Sequence, residues 1–431
     1  MKKIFLFVNP TSGGNKASIF IRFGINEIIF HKPYKCHFYI YSMLEGEHKK
    51  KPGFIKLSSV INEQSSENIN DNASDNSDSS HKKNTTISSE EKQSEEHKNF
   101  SVYILVAGGD GTLNWVIQEV DNYNINYNKF AIGLIPFGTA NDFSKTFGWK
   151  RINGVLNETV LFQILKRIVN QVFRAHIKRH DYWNVEFVLS KEGYFNKINS
   201  KTKKKEVLKE NDEIIKKIQK CMSNYFSIGI DSRIGRGFEK RRKKNEFCNK
   251  FIYLLEGCKK VSFKKNTPIN ALLDKMVMDN NDNDVIFTTN KTDNNFPLLK
   301  KSKTIVCINI PYYACGNDIW GYTHKLGLKL PKTLDSDKKK DYENLKKSKQ
   351  EVGDGMLEFV IFPKGTDLGL EYTLKGRARR VHQGTGPWKM FFKENVDSVY
   401  FQVDGEYYFM SLPEYVAIEH NKKINVLHNI L

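Results

Sequence analysis

The chain has 431 residues, 39% of them hydrophobic and 12% aromatic, which excludes a disordered protein and leaves room for two domains with cores of their own. A formal charge of +19 points to an acidic partner, either nucleic acid, an anionic membrane surface or a phosphate-bearing ligand. Six cysteines without a Cys-x-x-Cys pair read as reduced cytosolic thiols and exclude Cys/His zinc modules, and no apolar run nears the roughly 18 residues of a membrane span.

The opening Met1-Lys2-Lys3-Ile4-Phe5-Leu6-Phe7-Val8 mimics a signal peptide, but its apolar stretch stops at Asn9-Pro10, short of the ~7 to 15 residues of an h-region. It reads as a first strand, Lys3 to Val8, ending in Asn9-Pro10-Thr11-Ser12-Gly13-Gly14, where a helix would start. A second strand is predicted from His37 to Tyr41. The segment from Gly46 to Lys98 is rich in Ser, Asn, Glu and Lys, with hardly an aromatic beyond Phe54, and reads as a disordered insert, 46–98. A third strand, Tyr103 to Val106, runs into Val106-Ala107-Gly108-Gly109-Asp110-Gly111-Thr112-Leu113-Asn114. Leu113, Val116, Ile117 and Val120 then recur at i, i+3, i+4 and i+7, the stripe of a core-facing helix that Thr112 or Asp110 can cap. A fourth strand, Ala131 to Ile135, ends in Pro136-Phe137-Gly138-Thr139-Ala140-Asn141-Asp142, and an amphipathic helix from Val160 to Val172 closes the domain.

Glycines let the backbone approach an anion, and the first N–H groups of the following helix supply positive potential, so the loop at Gly108 to Asn114 suits phosphate. Asp110 within it would repel polyphosphate unless a divalent cation lies between them, which points to a nucleotide with magnesium. Three such loops after parallel strands suggest one crevice at the carboxyl edge of the sheet. A Walker lysine at its fixed spacing and a dinucleotide Gly-x-Gly-x-x-Gly are both missing.

Beyond a linker near Gln171 to His180, the pattern changes to short β-type segments: Tyr182 to Leu189, Tyr225 to Ile230, Thr304 to Ile310, Leu357 to Phe362, Gly376 to His382 and Val399 to Val403. These predict a largely antiparallel sandwich interrupted by polar surface inserts at 191–220, 264–303 and 332–349. The expected class is therefore α/β. A Rossmann-like nucleotide-binding domain, 1–170, precedes a mainly antiparallel β-sandwich, 171–431.

Asn9 to Gly14, Gly108 to Thr112 and Gly138 to Asp142 resemble, in order and spacing, the three nucleotide loops of the diacylglycerol kinase catalytic domain. Sphingosine and ceramide kinases, bacterial lipid kinases and NAD kinases share them more loosely. Asp181-Tyr182-Trp183-Asn184, Asn224 to Asp231, Gly353 to Glu358 and Gln402 to Glu406 resemble the accessory domain of the eukaryotic members. So do Asp231-Ser232-Arg233-Ile234 through Asn249-Lys250-Phe251, and Asn309-Ile310-Pro311 leading to Gly316-Asn317-Asp318-Ile319-Trp320-Gly321. Without zinc modules or EF-hand loops, the chain resembles a minimal kinase core.

The resemblance implies transfer of the ATP γ-phosphoryl group to the hydroxyl of diacylglycerol, giving phosphatidic acid in lipid signalling and phospholipid metabolism. It implies Mg2+, nucleotide contacts from Asn9, Pro10, Thr11, Ser12, Gly13, Gly108, Gly109, Asp110, Gly111, Thr112, Leu113, Asn114, Thr139 and Asn141, and a metal or orienting duty for Asp110. The general base of the bacterial relatives corresponds to Asp354, although eukaryotic relatives often carry Asp-Asp-Gly where this chain has Gly353-Asp354-Gly355. Asp404-Gly405 reads as a hairpin turn, and Asp231 and Asp318 are unassigned. A structural magnesium occurs in the accessory domain of bacterial relatives, and its ligands are not placed here. The basic block Lys240 to Lys244, leading into Phe251-Ile252-Tyr253-Leu254-Leu255, suits either an anionic leaflet or a solvated face. With no recognition motif, nucleic acid is not the expected partner, and no obligate protein partner is inferred. The expected location is cytoplasmic, at the membrane periphery. The rivals are a sphingosine or ceramide kinase and a catalytically silent lipid-binding module.

Overall fold

A computed structural model describes residues 1–71, 100–152, 158–199, 201–241, 256–257, 266–279, 281–314 and 316–430. The chain divides into two compact units, Met1–His180 with Lys423–Leu431, and Asp181–Lys422.

In the first unit, strands β1 (Lys2–Val8), β2 (Glu27–Phe30), β3 (Cys36–Ser42), β4 (Val102–Gly108) and β5 (Phe130–Pro136) lie in the order β5-β4-β1-β3-β2. The first four in that order run parallel, with Phe5 of β1 between Ile104 and Tyr39, and β2 closes the edge antiparallel to β3. All seven residues of β4 and of β5 are buried, as expected for parallel strands covered on both faces. The helix Asp110–Asn122 buries the predicted stripe of Leu113, Val116, Ile117 and Val120. The helix Glu158–Arg174 buries Leu161, Ile164, Leu165, Ile168 and Val172.

Four expectations change. The insert at 46–98 contains a helix, Pro52–Asp71, with Phe54, Leu57, Val60 and Ile61 buried; Phe54 stacks on Phe7 of β1 at 4.2 Å. Composition averaged over the whole segment hid an apolar stripe confined to its beginning, and 72–99 lie outside the described residues. The linker at Gln171 to His180 is instead helix up to Arg174 followed by a strand, His176–Leu189, which runs on without a break into the second unit. The chain also returns at its end to the first unit, where Val426 pairs with Ile132 of β5. The polar stretches expected as surface inserts hold regular structure of their own, including strands Phe195–Ile198, Lys217–Met222, Leu273–Met278 and Asn281–Thr288 and a helix, Ser336–Leu345. Strands with one solvated face carry polar residues at alternate positions, which lowers their apolar signal.

The second unit contains an eight-stranded antiparallel sheet in the order Arg379–Gly384, Leu357–Phe362, Thr304–Ile308, Tyr225–Gly229, Ser398–Val403, Glu406–Ser411, Phe195–Ile198, Lys205–Val207. Other strands pair antiparallel beside it, Leu273–Met278 with Trp388–Phe392, and 181–189 with Lys217–Met222. Trp183, Phe187, Met276, Trp388 and Met390 from these meet Phe226, Phe359 and Phe401 of the eight-stranded sheet in one buried core, with Phe187 stacked on Phe401 at 3.8 Å. Asp404-Gly405 is the two-residue turn between the strands ending at Val403 and starting at Glu406. The Asp404 carboxylate accepts N–H bonds from Ser223, Asn224 and Tyr225 at 2.7–3.0 Å, which agrees with the structural reading of this residue. Cys36, Cys221 and Cys307 are free thiols.

Because Leu57 is fully buried, Leu57→Ala is expected to lower stability by about 2–5 kcal/mol in denaturant unfolding. An unchanged midpoint would show that the segment does not pack.

Candidate active site

Three loops leave the carboxyl ends of β1, β4 and β5 and hold one another by hydrogen bonds and close backbone contact. In the first, Asn9 Oδ1 accepts from the Thr11 N–H at 3.2 Å and from Thr11 Oγ1 at 2.8 Å, an Asx turn that folds the loop back. Asn9 Nδ2 donates to Thr112 Oγ1 at 3.1 Å, and Ser12 Oγ lies 3.4 Å from the same hydroxyl. Gly13, Gly14 and Asn15 follow at φ +62°, +67° and +73°. The expected helix start is thus a left-handed turn leading into a short 3₁₀ segment, Lys16–Phe20.

In the second loop, the helix Asp110–Asn122 is capped by extended Gly109, with no side-chain cap, in place of Asp110 or Thr112. Thr112 is the third helical residue, its hydroxyl turned to the first loop. A Cβ on Gly109 would lie 2.9 Å from Gly138 Cα, and one on Gly108 would lie 2.5 Å from the Thr112 side chain. A Cβ on Gly111 would meet nothing within 4 Å, so Gly111 is the open point of the loop.

In the third loop, Asn141 sits at φ +54° and is buried, its Nδ2 donating to the Gly138 carbonyl at 2.7 Å. A Cβ on Gly138 would lie 2.7 Å from both Gly109 Cα and Asn141 Oδ1. The Asp142 N–H donates to Asp110 Oδ2 at 3.1 Å, so the Asp110 carboxylate ties the second loop to the third. Arg151, which no sequence pattern marked, donates to the carbonyls of Gly138 at 2.7 Å and Thr139 at 3.3 Å and brings a cation to this loop. The structure therefore gathers Asn9, Ser12, Gly13, Gly108, Gly109, Asp110, Thr112, Gly138 and Asn141, with Pro10, Thr11 and Thr139 beside them. Leu113 is core, and Asn114 is half-buried on the first turn of the helix.

Asp354 belongs to the second unit, on a turn between Gly353 and Gly355, both at positive φ. Its Oδ1 accepts the Met356 N–H at 2.9 Å, while its Oδ2 is buried with no hydrogen-bond partner among the described residues. Asp181, fully buried, accepts the Gly355 N–H at 2.8 Å on one oxygen and lies 2.7 Å from His420 Nε2 on the other. Glu358, also fully buried, accepts from Gln383 at 3.0 Å. Burial, reinforced by the charges of Asp181 and Glu351, raises the Asp354 carboxyl above the ordinary range, and burial holds Glu358 well above its own. Asp354, with Gly353 in place of a second carboxylate before it, thus has acidic neighbours in Asp181 and Glu351. Nothing in the motif Asp181-Tyr182-Trp183-Asn184 signals this contact, because Asp181 and Gly355 lie 174 residues apart.

A parallel α/β unit with three interlocked glycine loops, followed by a β-rich unit holding a buried acidic cluster, defines a two-part α/β protein of the glycine-loop type. Residues 57–177 match the diacylglycerol kinase catalytic domain and residues 221–407 the diacylglycerol kinase accessory domain, together well over half of the chain. The chain belongs to the diacylglycerol kinase family. It is 24% identical over 331 residues to probable diacylglycerol kinase 3 of Caenorhabditis elegans, covering 75% of this chain and 37% of that protein. Diacylglycerol kinases 4 and 5 of Arabidopsis thaliana are each 25% identical, over 333 and 349 residues, covering 70% and 75% of this chain and 62% and 64% of theirs. The chain therefore covers less than two thirds of each of these relatives.

Proposed function

We propose that this chain is an ATP-dependent kinase that phosphorylates the free hydroxyl of 1,2-diacylglycerol, giving phosphatidic acid and ADP. The interlocking of the three loops supports this reading most directly, because it surrounds the open N-terminal turn of a helix with small residues and hydrogen-bonding groups. The N–H groups at Gly109 to Gly111 receive the phosphates, with Asn9, Ser12, Thr139 and Asn141 around the nucleotide, and the first unit is the nucleotide domain. Arg151 adds positive charge beside the third loop.

Among the described residues no group of three or more His, Cys, Asp or Glu side chains could hold a metal by itself. Magnesium bound with a nucleotide takes one or two protein carboxylates and fills its shell from phosphate and water, so Asp110 alone fits that need. The ion, when bound, neutralises charge on the β and γ phosphates. Asp354 accepts the proton of the substrate hydroxyl as its oxygen bonds to the γ-phosphorus and the bridging oxygen leaves with ADP. A carboxyl raised by burial is a better proton acceptor than an ordinary one.

No helix among the described residues is long and apolar enough to cross a membrane. The chain works at the cytoplasmic face of membranes, attracted by its positive charge, and its product serves lipid signalling and phospholipid metabolism. Of the basic block at Lys240 to Lys244, Arg241 pairs with Glu256 at 2.7 Å, and residues 242 onward to 255 lie outside the described residues.

The test is incubation of purified protein with γ-labelled ATP, Mg2+ and micelles containing diacylglycerol. Labelled phosphatidic acid is expected from the wild type and not from Gly109→Asp. No labelled lipid from a folded wild type that binds ATP would favour the silent lipid-binding module.

A further inference from the structure

The second unit exposes an apolar patch that its own packing does not explain. Leu370, Tyr372 and Leu374 are 39%, 44% and 52% exposed within five residues, next to Tyr322 at 56%. Single exposed apolar residues are ordinary, but a contiguous group marks a contact surface. The segment is also firmly held. Glu371, between the outward residues, is buried, and its carboxylate accepts the N–H groups of Gly376 at 2.9 Å and Arg377 at 2.6 Å. The Tyr372 hydroxyl donates to the Ala314 carbonyl, and a Cβ on Gly376 would lie 2.7 Å from the Tyr322 carbonyl, so the two loops touch.

Positive charge predominates around the patch. Residues 321–325 and 364–377 contain Lys325, Lys364, Lys375 and Arg377, and only two acids, Asp367 and Glu371. Both acids are buried and accept backbone N–H bonds. A further acid beside these loops, Asp318, accepts the Gly321 N–H at 2.6 Å. Lys375 Nζ stands 5.7 Å from the Tyr322 ring centre. Leucines and tyrosines ringed by lysine and arginine fit a surface that is apolar inside and anionic outside.

We propose that the loops 321–325 and 370–377 dock this protein onto an anionic lipid bilayer, with Leu370, Leu374 and the two tyrosines entering the headgroup region and the basic residues meeting lipid phosphates. The choice of a bilayer over a protein rests on the lipid-kinase reading; the exposed surface itself does not.

The experiment is co-sedimentation of the full chain with vesicles of 70% phosphatidylcholine and 30% phosphatidylserine. Leu370→Ser/Leu374→Ser is expected to lower the partition coefficient at least about tenfold with an unchanged melting temperature. Lys325→Glu/Lys364→Glu, which spares the apolar side chains, is expected to weaken binding and flatten its salt dependence. Leu374→Trp is expected to keep binding and to add a blue-shifted emission component when vesicles are present. Partition unchanged in folded variants of both kinds would overturn the proposal. Self-association in solution that these variants abolish, without effect on vesicle binding, would also overturn it and assign the patch to a second copy of the chain. Phosphorylation of a dispersed short-chain diacylglycerol separates the two readings. Docking variants are expected to keep the wild-type rate there, and a wild type inactive on that substrate yet bound through the patch would refute the kinase reading alone.

Discussion

Gly138→Ala is expected to lower affinity for ATP by about a hundredfold and stability by about 1–3 kcal/mol. The added methyl would stand 2.7 Å from Gly109 Cα and from Asn141 Oδ1. Neither is the far end of a flexible chain. One is backbone, and the other belongs to a buried amide fixed by its own bond to Gly138. The second and third loops must therefore separate, stretching the contact between Asp110 Oδ2 and the Asp142 N–H. Gly111→Ala supplies the comparison. A methyl there meets nothing within 4 Å, so the fold should keep its melting temperature, and any loss of ATP affinity would report phosphate at that point. Titration with a fluorescent ATP analogue, beside thermal melts, reads both variants. Wild-type affinity in Gly138→Ala would mean that the loop contact is not part of the nucleotide site.

Asp354→Asn is expected to reduce kcat about 10²–10⁴-fold while leaving KM for ATP near its wild-type value. The raised carboxyl sets the sign of its effect on stability. A group whose pKa is higher in the fold than in the unfolded chain favours folding in its protonated form, and this contribution is lost as pH rises through the folded pKa. At neutral pH the charged carboxylate is therefore a cost, and replacing it by an amide should not lower the melting temperature. In the rate profile the base must be ionised, so the acidic limb lies above the pH of an ordinary carboxylate. Asp181 contributes to that elevation through its charge, and Asp181→Asn is expected to move the limb to lower pH. A limb that stays in place in Asp181→Asn would leave the elevation to burial alone, and full activity in Asp354→Asn would remove Asp354 from the proton transfer.

Strands β1, β4 and β5 were legible because they are uninterrupted apolar runs, each followed by glycine, threonine or asparagine at a predictable place, whereas the short edge strand β2, with only Phe30 buried, was not. Strand-to-loop order, with the stripe at Leu113, Val116, Ile117 and Val120, carried most of the first unit. The helix Pro52–Asp71 was not legible, since four buried apolar residues were diluted by the polar sequence after them. In the candidate site, Asp110 and Asp354 were visible as residues, but their surroundings were not. The bond from Asp142 to Asp110, the seat of Arg151 on the third loop, and the junction of Asp181, Gly355 and His420 join residues far apart in sequence, and nothing in local spacing announces them. The Asp-Gly turn at Asp404 and the one at Asp354 look alike in sequence. Only packing separates a carboxylate consumed by three backbone N–H groups from one with a buried oxygen to spare.

A competition among lipids identifies the phosphoryl acceptor. Purified protein is given γ-labelled ATP, Mg2+ and mixed micelles holding equal amounts of diacylglycerol, ceramide and sphingosine, and the labelled lipids are separated and counted. Label is expected in phosphatidic acid and is lost in Asp354→Asn. Label in ceramide phosphate or sphingosine phosphate, with none in phosphatidic acid, would contradict diacylglycerol as the acceptor.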